Sequence, residues 1–214
     1  HVVKQLLEAG YAVRGSVRDP ADAKKVAHLT SLPGASERLT LVKLNLTDAS
    51  GWEDAVAGCA GVVHTAMQVL KPDGRVRIKD PHKHYVEPAI KGMNFVLEAS
   101  RKAGTVRRIV FTSSTTAVSE NYKEWRTKTY GPGDWNTTAT LKRNPYGLAK
   151  TLAEKRLFEF MGNPSENTTQ MSFATVLPFA VLGPSLSSAA GDNDKAILLR
   201  MLNGEYPVLP PLMF

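Results

Sequence analysis

Short apolar segments alternate with helical segments along most of this chain, and that alternation limits its fold more than any other feature. Strands are predicted at residues 11–18, 39–46, 61–65, 108–112 and 172–177. Helices are predicted from residue 2 to a stop at Gly10, and over residues 21–32, 50–57 with Ser50 as cap, 81–102 and 145–161. Such alternation is typical of right-handed βαβ units, so we expect an α/β fold with a parallel, doubly wound sheet.

The chain is long enough for one domain of this kind. Its 214 residues are 43% hydrophobic and 22% charged, which are ordinary values for a globular protein. No repeat, low-complexity tract or linker divides the sequence, so residues 1–214 are predicted to form a single domain. The irregular polar insertion over residues 120–143 stands out, because long loops in compact domains are usually functional or disordered.

Composition also bears on where the protein acts and what it binds. No apolar run approaches the roughly 20 residues that cross a bilayer, and no signal peptide is evident. Cys59 is the only cysteine, so no intrachain disulfide can form, and we expect a cytoplasmic protein without membrane contact. The net charge is +7, but the basic residues are scattered, so no nucleic-acid partner is expected.

The helix predicted over residues 145–161 carries an unexpected charge on its apolar face. The core-facing stripe reads Tyr146, Ala149, Lys150, Ala153, Leu157 and Phe160. Burying an ammonium is costly unless it is paired or used, and Tyr146 lies one turn before Lys150 on the same face. A nearby cation favours the phenolate and lowers the pKa of a tyrosine. Tyr146 is therefore a candidate proton donor.

A tyrosine and a lysine at this spacing also arise by chance, and the alternative is a lysine that extends past the stripe into water. A second segment favours the functional interpretation. The strand predicted over residues 108–112 is followed by Ser113 and Ser114. Ligands of open parallel sheets bind at the carboxyl ends of the strands, so Ser114 is predicted to face the crevice and to hold a substrate carbonyl.

Four segments together resemble the extended short-chain dehydrogenases, in particular their dihydroflavonol reductase and cinnamoyl-CoA reductase branch. The segments are VRGSVRDP, FTSS, NPYGLAKTLAE and LPFAVLGP, and the resemblance extends over nearly the whole chain. It implies a Rossmann-type fold and NADPH-dependent reduction of a ketone, aldehyde or acyl thioester. The expected partner is a small-molecule carbonyl substrate, and the expected state is a monomer or a homodimer.

The resemblance assigns the reaction to three residues. The tyrosine that matches Tyr146 would protonate the carbonyl oxygen as hydride arrives from the nicotinamide. The lysine that matches Lys150 would hold the ribose and depress the pKa of the tyrosine. The serine that matches Ser114 would orient and polarise the carbonyl, with Ser113 as the alternative.

The same resemblance implies a cofactor groove. Arg18 and Lys25 would grip the 2′-phosphate of NADPH, because guanidinium matches phosphate geometry. The alternative is that Arg18 and Lys25 are simply two solvated surface charges. Asp19 could accept a hydrogen bond from a ribose, so NADH is the less favoured alternative cofactor. The other implied cofactor residues are Asn45 and Leu46 at the adenine, Thr65 and Ala66 at the pyrophosphate and ribose, Pro178 beside the nicotinamide, and Tyr146 and Lys150. No metal is expected.

The chain also departs from that family. His1 already lies in the first predicted helix, so the first strand and the glycine-rich loop are expected to be missing. Most of the substrate-binding C-terminal part is expected to be missing too, with residues 184–214 entering that region. A fragment of this kind should bind the cofactor poorly. The insertion TYGPGDWN also differs from the family near the expected substrate pocket, so the identity of the substrate is left open.

Two other functions fit the same fold. A nucleotide-sugar epimerase or dehydratase would use the same three residues, although the LPFAVLGP segment and Arg18 favour a reductase. A regulatory protein could bind a dinucleotide without turnover, but such relatives usually lose the tyrosine or the lysine, and both are present.

Overall fold

The computed structural model describes residues 1–68, 78–121, 124, 127–181, 183–187 and 202–204. Its strands are β1 (Val13–Val17), β2 (Leu39–Lys43), β3 (Gly61–His64), β4 (Arg108–Thr112) and β5 (Ser172–Val176). Its α-helices are α1 (Val2–Glu8), α2 (Ala23–Thr30), α3 (Ala35–Arg38), α4 (Trp52–Val56), α5 (Glu87–Ala103) and α6 (Pro145–Gly162). A π-helical segment (His82–Val86) leads into α5, and a 3-10 turn (Thr115–Ala117) follows β4.

The described strands form two parallel sheets. In one sheet β1 pairs with β2, and in the other β4 lies between β3 and β5. Every strand pair is parallel, and the register aligns Gly61 with Arg108 and Arg108 with Ser172. Parallel strands joined by helices confirm the predicted α/β class.

The main core lies around the helix pair α5 and α6. Met93 and Leu97 of α5 and Leu157 of α6 are fully buried, together with Ile109 of β4. Both helices present an apolar face at helical spacing, and their packing covers the three-stranded sheet. The predicted stripe of α6 is therefore part of the core.

Arg14 links the two-stranded sheet to helix α4. Its guanidinium extends from β1 to the end of α4, where it donates to the carbonyl oxygens of Asp54, Ala55 and Ala57, each at 2.9 Å. The last carbonyls of a helix have no partner within the helix and carry partial negative charge, so a guanidinium there is favourable. This contact joins the β1-β2 side of the molecule to the helix that precedes β3.

Several predicted boundaries were wrong. The second strand ends at Lys43, not at residue 46, and α4 is capped by Gly51 with φ of 78°, not by Ser50. The helix predicted over residues 81–102 starts with π-helical geometry ahead of α5. Neither the short helix α3 nor the 3-10 turn Thr115–Ala117 was predicted. Residues 67–80, between β3 and the π-helical segment, fall mostly outside the described residues. No helix within the described ranges has both the length and the apolar character needed to cross a membrane.

The start of α6 is fixed by Asn144 and Pro145. The Asn144 side chain accepts from the backbone N–H of Gly147 at 2.9 Å and donates to Glu120 at 2.6 Å. Pro145 occupies the first turn, where its missing N–H needs no partner. Glu120 lies at the start of the polar insertion, so one asparagine caps α6 and anchors the insertion to it.

Replacing Asn144 by alanine should lower the free energy of unfolding by about 1 kcal/mol or somewhat more, because the helix cap is lost. Urea denaturation followed by circular dichroism measures this loss. Asn144→Ser is the matched control, since it keeps a capping oxygen and should lose less. Equal stability of Asn144→Ala and the unchanged protein would contradict this account of the cap.

Candidate active site

The carboxyl ends of β3, β4 and β5 meet at one edge of the three-stranded sheet. Backbone hydrogen bonds tie the segment after β4 to the segment after β5: Ser113 N–H donates to Val176 O at 2.8 Å, and Thr115 N–H donates to Pro178 O at 3.3 Å. Ser114 therefore lies on a loop held directly against Pro178, which is where ligands of parallel sheets bind.

Lys150 projects from α6 into this edge and is only 3% exposed. Its Nζ donates to the carbonyl oxygen of Thr112 at 2.7 Å and lies 5.2 Å from the centre of the Phe111 ring. The centre of the Tyr146 ring is 5.8 Å away. The alternative of a lysine extended into water is thus excluded, and the ammonium lies beside the tyrosine at the end of β4.

Burial of this charge changes the titration of two groups. Desolvation lowers the pKa of Lys150 from 10.5 to about 8, while the charge of Glu154 acts in the opposite direction. His64, the last residue of β3, stacks on Phe111 with ring centres 5.7 Å apart. Burial, and then the charge of Lys150, lower the pKa of His64 to about 4, so this imidazole is neutral at pH 7.

The two serines after β4 have different surroundings. Ser114 is 6% exposed, and its Oγ accepts from the N–H of Thr116 at 3.3 Å and from the hydroxyl of Thr116 at 3.0 Å. A hydroxyl that accepts in this way can donate its own proton to a ligand. Ser113 is 2% exposed, and its hydroxyl donates to the carboxylate of Glu154. Ser113 is already engaged, so Ser114 suits a ligand better.

Sequence reasoning missed Glu154 and His64. Glu154 is 3% exposed and follows Lys150 by one turn of α6. The signal was the spacing of Tyr146, Lys150 and Glu154, four residues apart along one helix face. His64 had a weaker signal, as a polar residue at the end of a predicted apolar strand.

Arg18 and Lys25 lie on the side of the two-stranded sheet. Arg18 follows β1 and is exposed. Lys25 is exposed too, and its Nζ pairs with Asp22, the cap of α2, at 2.6 Å. The side chain of Asp19 accepts from the N–H of Ala21 at 3.0 Å. Arg18 is therefore accessible to an anion, whereas Lys25 would have to leave an existing ion pair.

Asn45 and Leu46 lie in a turn after β2, not at a strand end. The Asn45 side chain accepts from the N–H and the hydroxyl of Thr47, both at 3.1 Å. Leu46 packs against Gly92 of α5. A Cβ atom at position 92 would lie only 2.5 Å from the Leu46 side chain. The turn is thus fixed by local hydrogen bonds and by the core.

Thr65 and Ala66 are both exposed directly after β3. The structure places them at the same sheet edge as Ser114 and Pro178, because β3, β4 and β5 run parallel. Arg18 and Asn45 follow the strands of the other sheet.

The polar insertion forms one wall of a cavity of about 810 Å³. Trp135 packs edge-on against Phe158 at 5.3 Å between ring centres, and Phe158 packs edge-on against Phe173 at 4.8 Å. Glu154 also borders this cavity. The insertion is held in place partly by Tyr130, whose hydroxyl lies 3.0 Å from that of Ser119. An apolar, aromatic cavity therefore lies beside the buried polar groups of α6.

One known family accounts for nearly the whole chain. The sequence model of the NAD dependent epimerase/dehydratase family matches residues 1–210. The chain belongs to this family. The extended short-chain dehydrogenase resemblance seen in the sequence is thereby confirmed.

Curated relatives of the chain are plant reductases. Dihydroflavonol 4-reductase of Hordeum vulgare is 38% identical over 192 residues, which cover 87% of this chain and 51% of that protein. Cinnamoyl-CoA reductase of Medicago truncatula is 38% identical over 206 residues, covering 95% of this chain and 60% of that protein. Tetraketide alpha-pyrone reductase 1 of Arabidopsis thaliana is 39% identical over 210 residues. The chain spans about half to three fifths of these relatives.

Solved structures with the same fold include two reductases. Vestitone reductase from alfalfa (Medicago sativa) matches with a TM-score of 0.68 and 30% identity over 92% of this chain and 58% of that one. Yeast methylglyoxal/isovaleraldehyde reductase complexed with NADPH matches with a TM-score of 0.70 and 26% identity over 86% of this chain and 55% of that one. These matches confirm the predicted Rossmann-type class.

The buried ammonium should make stability depend on pH. The pKa of Lys150 falls from 10.5 in the unfolded chain to about 8 in the folded protein, so the unfolded state binds more protons between these values. The contribution of Lys150 to the free energy of unfolding therefore rises as the pH rises through this window, and is constant below it.

Chemical denaturation at several pH values tests this expectation. The rise should disappear in Lys150→Met and persist in Lys142→Met, which removes an exposed lysine just before α6. The same pH dependence in Lys150→Met and the unchanged protein would show that another group causes it.

Proposed function

We propose that this chain carries the catalytic groups of an NADPH-dependent reductase that converts a ketone, aldehyde or acyl thioester carbonyl by hydride transfer. The observation that carries the proposal is the buried Lys150 beside Tyr146 at the carboxyl edge of the sheet. The reductase names of relatives that are 38–39% identical support this reaction class over the other reactions of the family.

Lys150 supplies positive charge where a proton donor is needed. Its ammonium is held on Thr112 O at 2.7 Å, so its position is fixed before any ligand arrives. Buried charge acts more strongly than exposed charge because little water screens it. The ammonium thereby favours the phenolate of Tyr146 and makes its phenol a better acid near neutral pH.

Tyr146 and Ser114 act on the carbonyl oxygen in this proposal. The hydroxyl of Ser114 donates a hydrogen bond to that oxygen and thereby polarises the C=O bond. Tyr146 transfers its phenolic proton to the same oxygen when the carbonyl carbon is reduced, so a ketone or aldehyde becomes an alcohol. An acyl thioester becomes a thiohemiacetal, which releases its thiol to leave the aldehyde. The phenolate of Tyr146 is stabilised by the ammonium of Lys150 until a proton returns.

In this proposal a nicotinamide dinucleotide lies along the predicted groove and is held at both ends by residues of this chain. A bound NADPH would supply the hydride for the carbonyl carbon. Its nicotinamide half would be held by residues at the sheet edge beside the Ser114 loop, namely Thr65, Ala66, Lys150 and Pro178. The exposed guanidinium of Arg18 would hold the 2′-phosphate, with Asn45 and Leu46 nearer the adenine and Lys25 as a second cation.

Tyr146→Phe should reduce turnover by roughly two to four orders of magnitude in the whole protein, the usual size of a lost general acid. Binding of NADPH, followed by fluorescence titration, should remain. The matched control is Tyr11→Phe, which removes a hydroxyl from an exposed tyrosine outside the site. Wild-type rates of carbonyl-dependent NADPH oxidation in Tyr146→Phe would contradict the mechanism.

Arg18→Ala should raise the KM for NADPH by about tenfold or more while leaving the KM for NADH nearly unchanged, because only NADPH has the 2′-phosphate. Steady-state kinetics with both cofactors measure the ratio. Arg107→Ala, which removes an exposed arginine just before β4, should change neither value. Equal losses with both cofactors would defeat the assignment of Arg18.

A further inference from the structure

Two charged side chains of α6 hold consecutive residues of the segment that follows β4. Lys150 donates to the carbonyl oxygen of Thr112 at 2.7 Å, and Glu154 accepts from the hydroxyl of Ser113. The next residue is Ser114. From the other side, Val176 at the end of β5 accepts from the N–H of Ser113, and Pro178 just after β5 accepts from the N–H of Thr115. The backbone that presents Ser114 is thus held between α6 and β5.

We propose that Glu154 is a positioning residue of this active site: its carboxylate holds Ser113, and so the Ser114 backbone, while its charge balances the ammonium of Lys150. The inference rests on the proposed function for its catalytic consequence. Its electrostatic consequence concerns Lys150 alone and can be measured without substrate.

A purely structural role explains this glutamate poorly. A buried carboxylate loses its hydration, and a neutral serine hydroxyl compensates only part of that cost. An apolar side chain at position 154 would pack against the aromatic cavity wall at lower cost. Lys150 lies one turn earlier on the same helix face, where Cβ atoms are about 5–6 Å apart. A buried carboxylate at position 154 therefore offsets part of the cost of burying the ammonium of Lys150.

The titratable groups around Lys150 come from two elements. His64 of β3 is neutral at pH 7, and Tyr146 of α6 carries no charge while its phenol is protonated. Phe111 and the carbonyl of Thr112, both from β4, do not titrate. Within the described part of the chain, Glu154 is the neighbour whose charge favours the protonated form of Lys150.

Glu154→Gln separates charge from hydrogen bonding, because its amide oxygen can still accept from Ser113. The titration midpoint of Lys150 should then fall by about one pH unit or more, the effect of losing a nearby opposite charge. NMR of protein with 13C-labelled lysine gives this midpoint, and the Lys150 signal is assigned by its loss in Lys150→Arg. Glu159→Gln is the control, since it removes an exposed charge from the same helix. Equal midpoints in Glu154→Gln and Glu159→Gln would overturn the charge role.

The kinetic arm measures kcat against pH in the whole protein. Glu154→Gln should move the basic limit of kcat to lower pH, because Tyr146 and Lys150 must both be protonated for reduction, and should leave the KM for NADPH nearly unchanged. Glu154→Ala should lower kcat further, and combining it with Ser113→Ala should add little, because the two residues act through one contact. Additive losses in kcat would overturn the path through Ser113.

Glu154→Asp keeps the proposal testable if the other variants fail to fold. It retains the charge but is one methylene too short to hold Ser113, so kcat should fall while the Lys150 midpoint stays near that of the unchanged protein. Wild-type kcat in both Glu154→Asp and Ser113→Ala would overturn the positioning role. Failure of the proposed function is a different result, namely full turnover in Tyr146→Phe, and it leaves the Lys150 titration unaffected.

Discussion

The ammonium of Lys150 is the group on which the site depends. It is nearly fully buried, yet it meets the carbonyl oxygen of Thr112 at 2.7 Å and the faces of two aromatic rings. One carbonyl oxygen and two aromatic rings compensate poorly for the hydration that a buried ammonium loses. Other polar groups are therefore needed around this charge. A neutral His64, the adjacent Tyr146 and the buried Glu154 all surround this one cation.

The rest of the fold holds that cation at a defined place. Helix α6 is packed into the core by Ala149, Ala153 and Leu157, and its first turn is fixed by Asn144. The segment after β4 is fixed by backbone hydrogen bonds to the last residue of β5 and to the segment that follows it. Rigid elements on both sides mean that ligand binding need not order the site, and preorganised groups of this kind are what the proposed catalytic mechanism requires.

The most regular parts of the fold could be predicted from sequence. The structure gives β4 the predicted boundaries and extends α6 by one residue, because apolar residues recur in each at the spacing of a strand or of a helix. The buried stripe of α6, with Lys150 in it, was predicted for the same reason. Family membership followed from four segments in fixed order, and it is confirmed.

Local hydrogen bonding explains most of what sequence reasoning missed. Asn45 ends β2 early because its side chain bonds to Thr47 and makes a turn. Gly51 occupies the N-cap position of α4 in a left-handed conformation that a residue with a side chain would adopt with strain. Glu154 was overlooked because glutamates in helices are mostly exposed. The roles of Arg18 and the other cofactor residues stay predictions, since they concern contacts with a ligand.

The most direct test of the account follows deuterium from NADPH labelled at C4 of the nicotinamide into the product of the whole protein. Lys150→Met has nearly the shape of the lysine side chain but lacks the charge. The account predicts that the unchanged protein places deuterium on the former carbonyl carbon, and that Lys150→Met, although folded, does so at least about a hundredfold more slowly. Deuterium transfer at the same rate in both proteins would contradict the central role of the buried ammonium.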